Sequence, residues 1–268
     1  MRSFTVLMLA ALAASPAFAA EYTQLDDLSL PGSNRYERCL SLAHASPQAA
    51  LDAAIKWNGG APADHCMAVA LTGLKRYAEA AAKLDRLARD KNVGLPADRA
   101  TIFDQAGNAW LLAALAPQAN DSFTAGLALS PGNPDLLMDR ARASALRKDW
   151  GAAERDLSAA ILRDVANPEL YVLRASARHA LGHKEDARAD LNQALHLRPD
   201  YAEALLERGS MKVEAGDGDG ARADWQAVID NSPNSGEASE ARKRLGELEP
   251  ATPSATAAPA GPAVPAVP

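Results

Sequence analysis

Two periods run through the apolar positions of this chain at once. Over short stretches they recur every three or four residues; over longer ones the whole pattern returns every 34 residues, in blocks starting at 100, 134, 168 and 202 with no gaps. One column of the aligned blocks holds Ala119, Ala153, Ala187 and Ala221, and four residues later stand Phe123, Leu157, Leu191 and Trp225. A small residue sits early in each block: Gly107, Ala141, Ala175 and Gly209. Three blocks close at Pro131, Pro199 and Pro233, with Val165 as the exception. A further block fits 61–94, with Ala68, Ala80 and Leu84 in the matching columns, and residues 95–99 follow it as an insertion of five.

Each block reads as two amphipathic helices. In 168–201, Leu170, Tyr171, Arg174, Ala175, Arg178 and Leu181 lie at helical spacing, Gly182 interrupts, and Ala187, Leu191, Ala194 and Leu195 resume the pattern until Pro199 ends it. Two antiparallel helices approach closely only where the facing positions are small, which accounts for the alanine columns. The fold class is therefore all-α.

A 34-residue unit with a small residue, then Ala-x-x-x-aromatic or aliphatic, then Pro, resembles the tetratricopeptide repeat family, and the resemblance covers about 61–235. It implies a right-handed α-solenoid of helix hairpins whose first helices line a concave groove for protein or peptide partners. The large aromatic that the family carries early in the first helix is Phe103 and Tyr171 here, but Asp64, Leu137 and Leu205 in the other blocks.

Another regularity is internal to this sequence. Arg140, Arg174 and Arg208 share one column, and Asp156, Asp190 and Asp224 share another, sixteen residues on in each case. Where Ala106 and Met67 replace the arginine, Ser122 and Lys83 replace the aspartate. Joint presence and joint loss predict a charge-assisted pair across each hairpin, structural rather than catalytic.

Both ends of the array read as caps. Residues 20–60 form an amino-terminal segment in which 36–57 is an imperfect helix pair broken near Ser46 and Pro47. Residues 236–249 read as one capping helix, with Asn234 as N-cap and a polar outer surface from Glu240, Arg242, Lys243 and Glu247. Six of the nineteen residues from Pro250 to Pro268 are proline and most others alanine, the composition of a disordered or polyproline-like tail.

Composition agrees with stacked helices more than with one bulky core: 61 of the 268 residues are alanine and only 5% are aromatic. A net charge of −6 without basic clusters offers nothing to a phosphate backbone, which excludes nucleic acid as the expected partner. Arg2, the apolar run Phe4–Ala14 and the small residues Ala17 and Ala19 match a secretory signal peptide at 1–19, cut after Ala19. The apolar run is shorter than the roughly 20 residues that span a bilayer, so no stable membrane insertion is expected once it is removed. The expected location is the periplasm of a bacterial envelope. In an oxidising compartment Cys39 and Cys66 read as a disulfide, worth roughly 3 to 4 kcal/mol on a loop-entropy account. Two buried thiols, or a metal site with His65, are the alternatives.

Candidate chemistry is sparse, and neither a cofactor nor a metal is expected. Gly216, Gly218 and Gly220 fall in a turn between helices with no preceding strand, and Asp217 and Asp219 lack the twelve-residue frame of a calcium loop. His179 and His183 are separated by the helix-breaking Gly182. What remains is a binding surface on the first helices, drawn from Asp104, Asn108, Asp135, Asp139, Arg142, Glu169, Ser176, His179, Glu203 and Glu207. Its acidic balance favours a basic or amide-rich peptide. The sequence thus reads as a non-enzymatic interaction module or scaffold for an envelope protein. A glycan or small-ligand binding protein working with peptidoglycan machinery is the alternative, and self-association through an unpaired terminal helix stays open.

Overall fold

The computed structural model describes residues 34–57 and 59–248. The expected signal peptide, residues 20–33 and the Pro/Ala tail lie outside them. Among the described residues there are thirteen helices and no strand. They are α1 (Asn34–Ala45), α2 (Pro47–Ile55), α3 (Ala61–Gly73), α4 (Tyr77–Arg89), α5 (Pro96–Leu112), α6 (Ala116–Leu129), α7 (Pro134–Leu146), α8 (Trp150–Ile161), α9 (Pro168–Ala180), α10 (Lys184–Leu197), α11 (Ala202–Glu214), α12 (Gly218–Asn231) and α13 (Gly236–Leu248). They fall into two compact units divided after Pro199, one holding α1–α10 and the other α11–α13. No helix among the described residues is long and apolar enough to cross a membrane.

Local sequence explains where the helices begin and turn. Proline occupies the first helical turn of α2, α3, α5, α6, α7 and α9, where its missing N–H has no intrahelical partner to lose. Asn133 and Asn167 cap α7 and α9, their side chains accepting from Asp135 N and Leu136 N in one case and from Glu169 N in the other. Within each hairpin the turn passes through a left-handed residue, at Lys75, Ala114, Lys148, Gly182 and Gly216, with φ between 59° and 84°. The bond that closes each turn spans five residues: Arg76 N to Leu71 O, Leu115 N to Trp110 O, Asp149 N to Ser144 O, His183 N to Arg178 O and Asp217 N to Lys212 O, at 2.8–2.9 Å. Only two of these five positions carry the glycine that the conformation favours.

Packing within the hairpins is a matter of matched sizes. A methyl group on Gly107 would stand 2.3 Å from Phe123 Cε1, and one on Gly209 would stand 2.3 Å from Trp225 Nε1. Where the second helix offers Leu157 or Leu191 instead of an aromatic ring, the facing small residue is Ala141 or Ala175. Ring against glycine and leucine against alanine therefore fill the same slot at similar total volume.

Two helix starts lie near the ends of the sequence blocks. The insertion is helical: Pro96–Arg99 forms the first turn of α5, closed by a hydrogen bond from Leu95 N to Asp98 Oδ2 at 2.8 Å. The amino terminus of α13 is capped by Ser235, whose Oγ accepts from Ala238 N at 3.0 Å, and not by Asn234. A hydroxyl one residue nearer the helix reaches the unsatisfied N–H with better geometry.

Candidate functional site

The first helices α5, α7 and α9 are tied together by one polar seam. Asn108 Nδ2 on α5 donates to Asp139 Oδ2 on α7 at 2.9 Å, and Arg142 Nη1 donates to Asp139 Oδ1 at 2.5 Å. Arg142 Nη2 then donates to Glu169 Oε1 on α9. Asn108 Oδ1 is buried and accepts no hydrogen bond. The sequence places these residues on an open groove, and the structure differs for two of them, since Asp139 is only 4% exposed and the Arg142 side chain only 9%. Each neutralises the other, which is why they tolerate burial.

Around the seam lie half-buried Asp104 and exposed Asp135. Partial burial, then the charges of Asp139 and Asp164, push the Asp135 carboxyl above its ordinary range, against the opposing pull of Arg142. Of the candidate groove residues on these three helices, Asp104, Asp135, Asp139 and Glu169 are carboxylates and Arg142 is the one guanidinium, a balance of −3 for that set. Ser176 Oγ turns back to Val172 O of its own helix at 3.2 Å, and His179 is half-buried in the last turn of α9. Glu203 and Glu207 lie on α11, in the other unit, both half-buried.

The repeated Arg and Asp columns meet. Arg140 Nε and Nη2 donate to Asp156 at 2.8 and 2.7 Å, Arg174 to Asp190 at 2.9 and 2.7 Å, and Arg208 to Asp224 at 2.9 and 2.7 Å. Burial alone would raise the Asp224 carboxyl, but Arg208 and Lys212 hold it below its ordinary value. Where the columns lapse, other pairs stand in. Lys83 reaches Asp64 at 3.0 Å, and Asp85 accepts from both Trp110 Nε1 and Ser122 Oγ at 3.0 Å.

Several ties escaped the sequence reading. Arg140 Nη1 also donates to Thr124 Oγ1, and Arg174 Nη1 to Ser158 Oγ, each on the second helix of the preceding hairpin. Two further joints link successive hairpins at a separation of 24 residues: Asn120 Nδ2 to Ser144 Oγ at 3.3 Å, and Arg178 Nε to Glu154 Oε1 at 2.9 Å. A column search that allowed residue types to change in concert, as amide with hydroxyl or acid with base, would have exposed them.

At the amino-terminal end Cys39 and Cys66 are joined, with Cα atoms 6.1 Å apart. His65 is fully buried, with Nδ1 2.8 Å from Tyr36 Oη and Nε2 2.8 Å from Gln105 Oε1. An amide oxygen only accepts, so Nε2 carries the proton and Nδ1 accepts from the tyrosine hydroxyl. Both ring nitrogens and both sulfurs are thus engaged, which sets aside the metal and free-thiol alternatives. Desolvation drives the His65 pKa down to about 4, despite the opposing hydrogen bond to Gln105. Among the described residues no group of three or more His, Cys, Asp or Glu is placed to hold a metal ion.

A tetratricopeptide-repeat family model matches residues 203–235, which is the 34-residue block of α11 and α12 less its first residue. Over that block the chain is similar to the tetratricopeptide-repeat family. RNA polymerase II-associated protein 3 of Mus musculus is 31% identical over 118 residues, 44% of this chain and 18% of that protein. The tetratricopeptide repeat and J domain-containing co-chaperone DNJ1 of Fusarium oxysporum f. sp. lycopersici is 33% identical over 135 residues, 48% of this chain and 26% of that protein. The chain therefore spans about a fifth to a quarter of the length of these relatives. Among solved structures, MamA 41-end from Desulfovibrio magneticus RS-1 superposes with a TM-score of 0.57 at 21% identity, covering 65% of this chain and 97% of that one. YrrB, described as a TPR protein with an unusual peptide-binding site, superposes with a TM-score of 0.53 at 20% identity, covering 72% and 97%. At these identities the structural likeness is one of fold.

Proposed function

We propose that the protein is a non-enzymatic scaffold of the bacterial cell envelope, exported by the segment 1–19, that holds a partner protein or peptide on the first-helix face of α5, α7 and α9. The observation that carries the reading is the seam itself. It fixes three helices side by side with Asn108 Oδ1 left as a buried acceptor and Asp104 and Asp135 beside it. A partner bearing lysine, arginine or amide N–H groups satisfies the acceptor and reduces the carboxylate repulsion together.

The test is crosslinking in the producing cell followed by mass spectrometry, comparing the native chain with an Asp104→Lys, Asp135→Lys variant. These two positions reverse charge on the face without opening the Asp139–Arg142 pair. A defined envelope protein captured by the first and lost by the second, with helical circular dichroism unchanged, supports the reading. The same captures with both overturn it. The amino-terminal mass of the protein recovered from the periplasmic fraction tests export separately, with Ala20 expected as the first residue.

A further inference from the structure

We propose that the turn between α8 and α9 is the apolar end of the binding face, where Leu162 and Val165 take a bulky aliphatic or aromatic side chain of the partner while Asp135 and Asp164 hold a lysine or arginine next to it. The inference rests on the reading of the first-helix face as a binding surface and adds the chemistry of the segment that lies there.

The turn breaks the repeat. Val165 stands where the other blocks have Pro131, Pro199 and Pro233, and Leu162 where they have Ala128, His196 and Asp230. The helices α6, α10 and α12 end at Leu129, Leu197 and Asn231, and the same frame would carry α8 to Arg163. Instead α8 stops at Ile161, and Arg163 N and Asp164 N both donate to Ala160 O at 2.9 Å as the chain turns away. The connection to α9, residues 162–167, is longer than its counterparts 130–133 and 232–235.

The two aliphatic side chains are not what holds this turn. Tyr171 Oη donates to Val165 O at 3.1 Å, and Asp164 Oδ1 accepts from Ala166 N at 3.3 Å. The Arg163 guanidinium rests on Gly132, 3.1–3.3 Å from the place of a methyl group there. These contacts use backbone and polar groups, and they leave Leu162 81% exposed and Val165 62%. Ile55, Leu95, Leu146, Leu181 and Val213, the other exposed large apolar side chains among the described residues, stand singly. A lone exposed leucine is ordinary. Two such side chains on an ordered turn form apolar surface that a partner can cover at little loss of backbone freedom.

Charge decides what covers it. Asp135, at the start of α7, and Asp164 are close enough that the Asp164 charge, after partial burial and the charge of Asp139, helps to push the Asp135 carboxyl above its ordinary range. Neither Asp135 nor Asp164 has an ion-pair partner among the described residues, since Arg142 turns to Asp139 and Glu169 and Arg163 lies on Gly132. A cation from the partner relieves this repulsion and an anion adds to it. A second copy docking through the same turn would set like carboxylates against one another. The occupant is therefore a basic protein segment with a large apolar residue beside the charge.

The experiment is selection of a phage-displayed random peptide library on the full chain, followed by affinity measurements on the selected peptides with the native chain and its variants. Leu162→Ser, Val165→Ser alters only exposed side chains, and Asp164→Asn removes a charge while keeping an acceptor for Ala166 N; circular dichroism should be unchanged in both. The selected peptides are expected to carry Lys or Arg beside Leu, Ile, Phe or Trp. They should bind the Leu162→Ser, Val165→Ser variant about tenfold more weakly, and Asp164→Asn more weakly as well. Peptides that lose affinity for Asp104→Lys, Asp135→Lys but bind Leu162→Ser, Val165→Ser as tightly as the native chain overturn the inference and leave the binding face standing. Peptides indifferent to both double variants, or no enriched peptide at all, overturn the inference and the face together. A native dimer in sedimentation velocity that Leu162→Ser, Val165→Ser abolishes makes a second copy the occupant, which overturns the inference too.

Discussion

Arg174 grips Asp190 through both edges of its guanidinium, and Arg178 donates to the same carboxylate from one turn further along α9. Asp190 therefore takes three charge-assisted hydrogen bonds on a side chain only 5% exposed. Replacing Arg174 with Met leaves that carboxylate with one of the three bonds and is expected to destabilise the unit by about 2 to 3 kcal/mol. The same change at Arg140, whose partner Asp156 is 13% exposed, should have a smaller effect. Urea titrations of the two variants check both the size and the order.

The pairing of Gly107 with Phe123 predicts a compensating double variant. Gly107→Ala alone drives a methyl group into the ring and should cost about 1 to 3 kcal/mol. Gly107→Ala with Phe123→Leu recreates the Ala141 and Leu157 combination that this chain already uses, and should recover most of the loss. Thermal melts of the single and double variants give the coupling directly; additive losses would contradict the size-matching account.

The left-handed residues in the hairpin turns should respond in the opposite direction. Ala114 has φ of 59° where Gly182 and Gly216, in the same column, have 84° and 82°. Ala114→Gly relieves a backbone conformation that costs an L-residue about 1 kcal/mol, and calorimetry should show a gain of up to that size.

His65 gives the unit an acid sensitivity of defined sign. Its folded pKa of about 4 lies below the ordinary 6.5, so the unfolded chain takes up its proton first as the pH falls. The associated stability is fully present above pH 6.5, is lost progressively down to about pH 4, and amounts to about 3 kcal/mol. Denaturant titrations of the native chain between pH 7.5 and 4 should show this slope, and a His65→Gln variant should lack it.

The repeat was legible because the chain writes it several times: alanine at 119, 153, 187 and 221 is a statement of close helix approach made in four copies. The Arg and Asp columns were legible for the same reason. His65 was not, since its partners Tyr36 and Gln105 lie 29 and 40 residues away and occur once. Nor was the inner position of Asp139, because helical periodicity places a residue on a face without saying how near the next helix stands. The added turn of α5 was hidden too, since Leu-Pro-Ala-Asp-Arg suits a loop as well as a helix start.

The joints between hairpins give the array a fixed order. Asn120 meets Ser144 at one seam, and Glu154 meets Arg178 at the next. Excising residues 134–167 would preserve the helical phase, yet it would set Asn120 opposite Arg178, an amide where that guanidinium has had a carboxylate. Repeat arrays commonly lengthen and shorten by whole units. In this one the hairpins α5–α6, α7–α8 and α9–α10 are keyed to one another by different pairs, so copy number and sequence of assembly are bound together there.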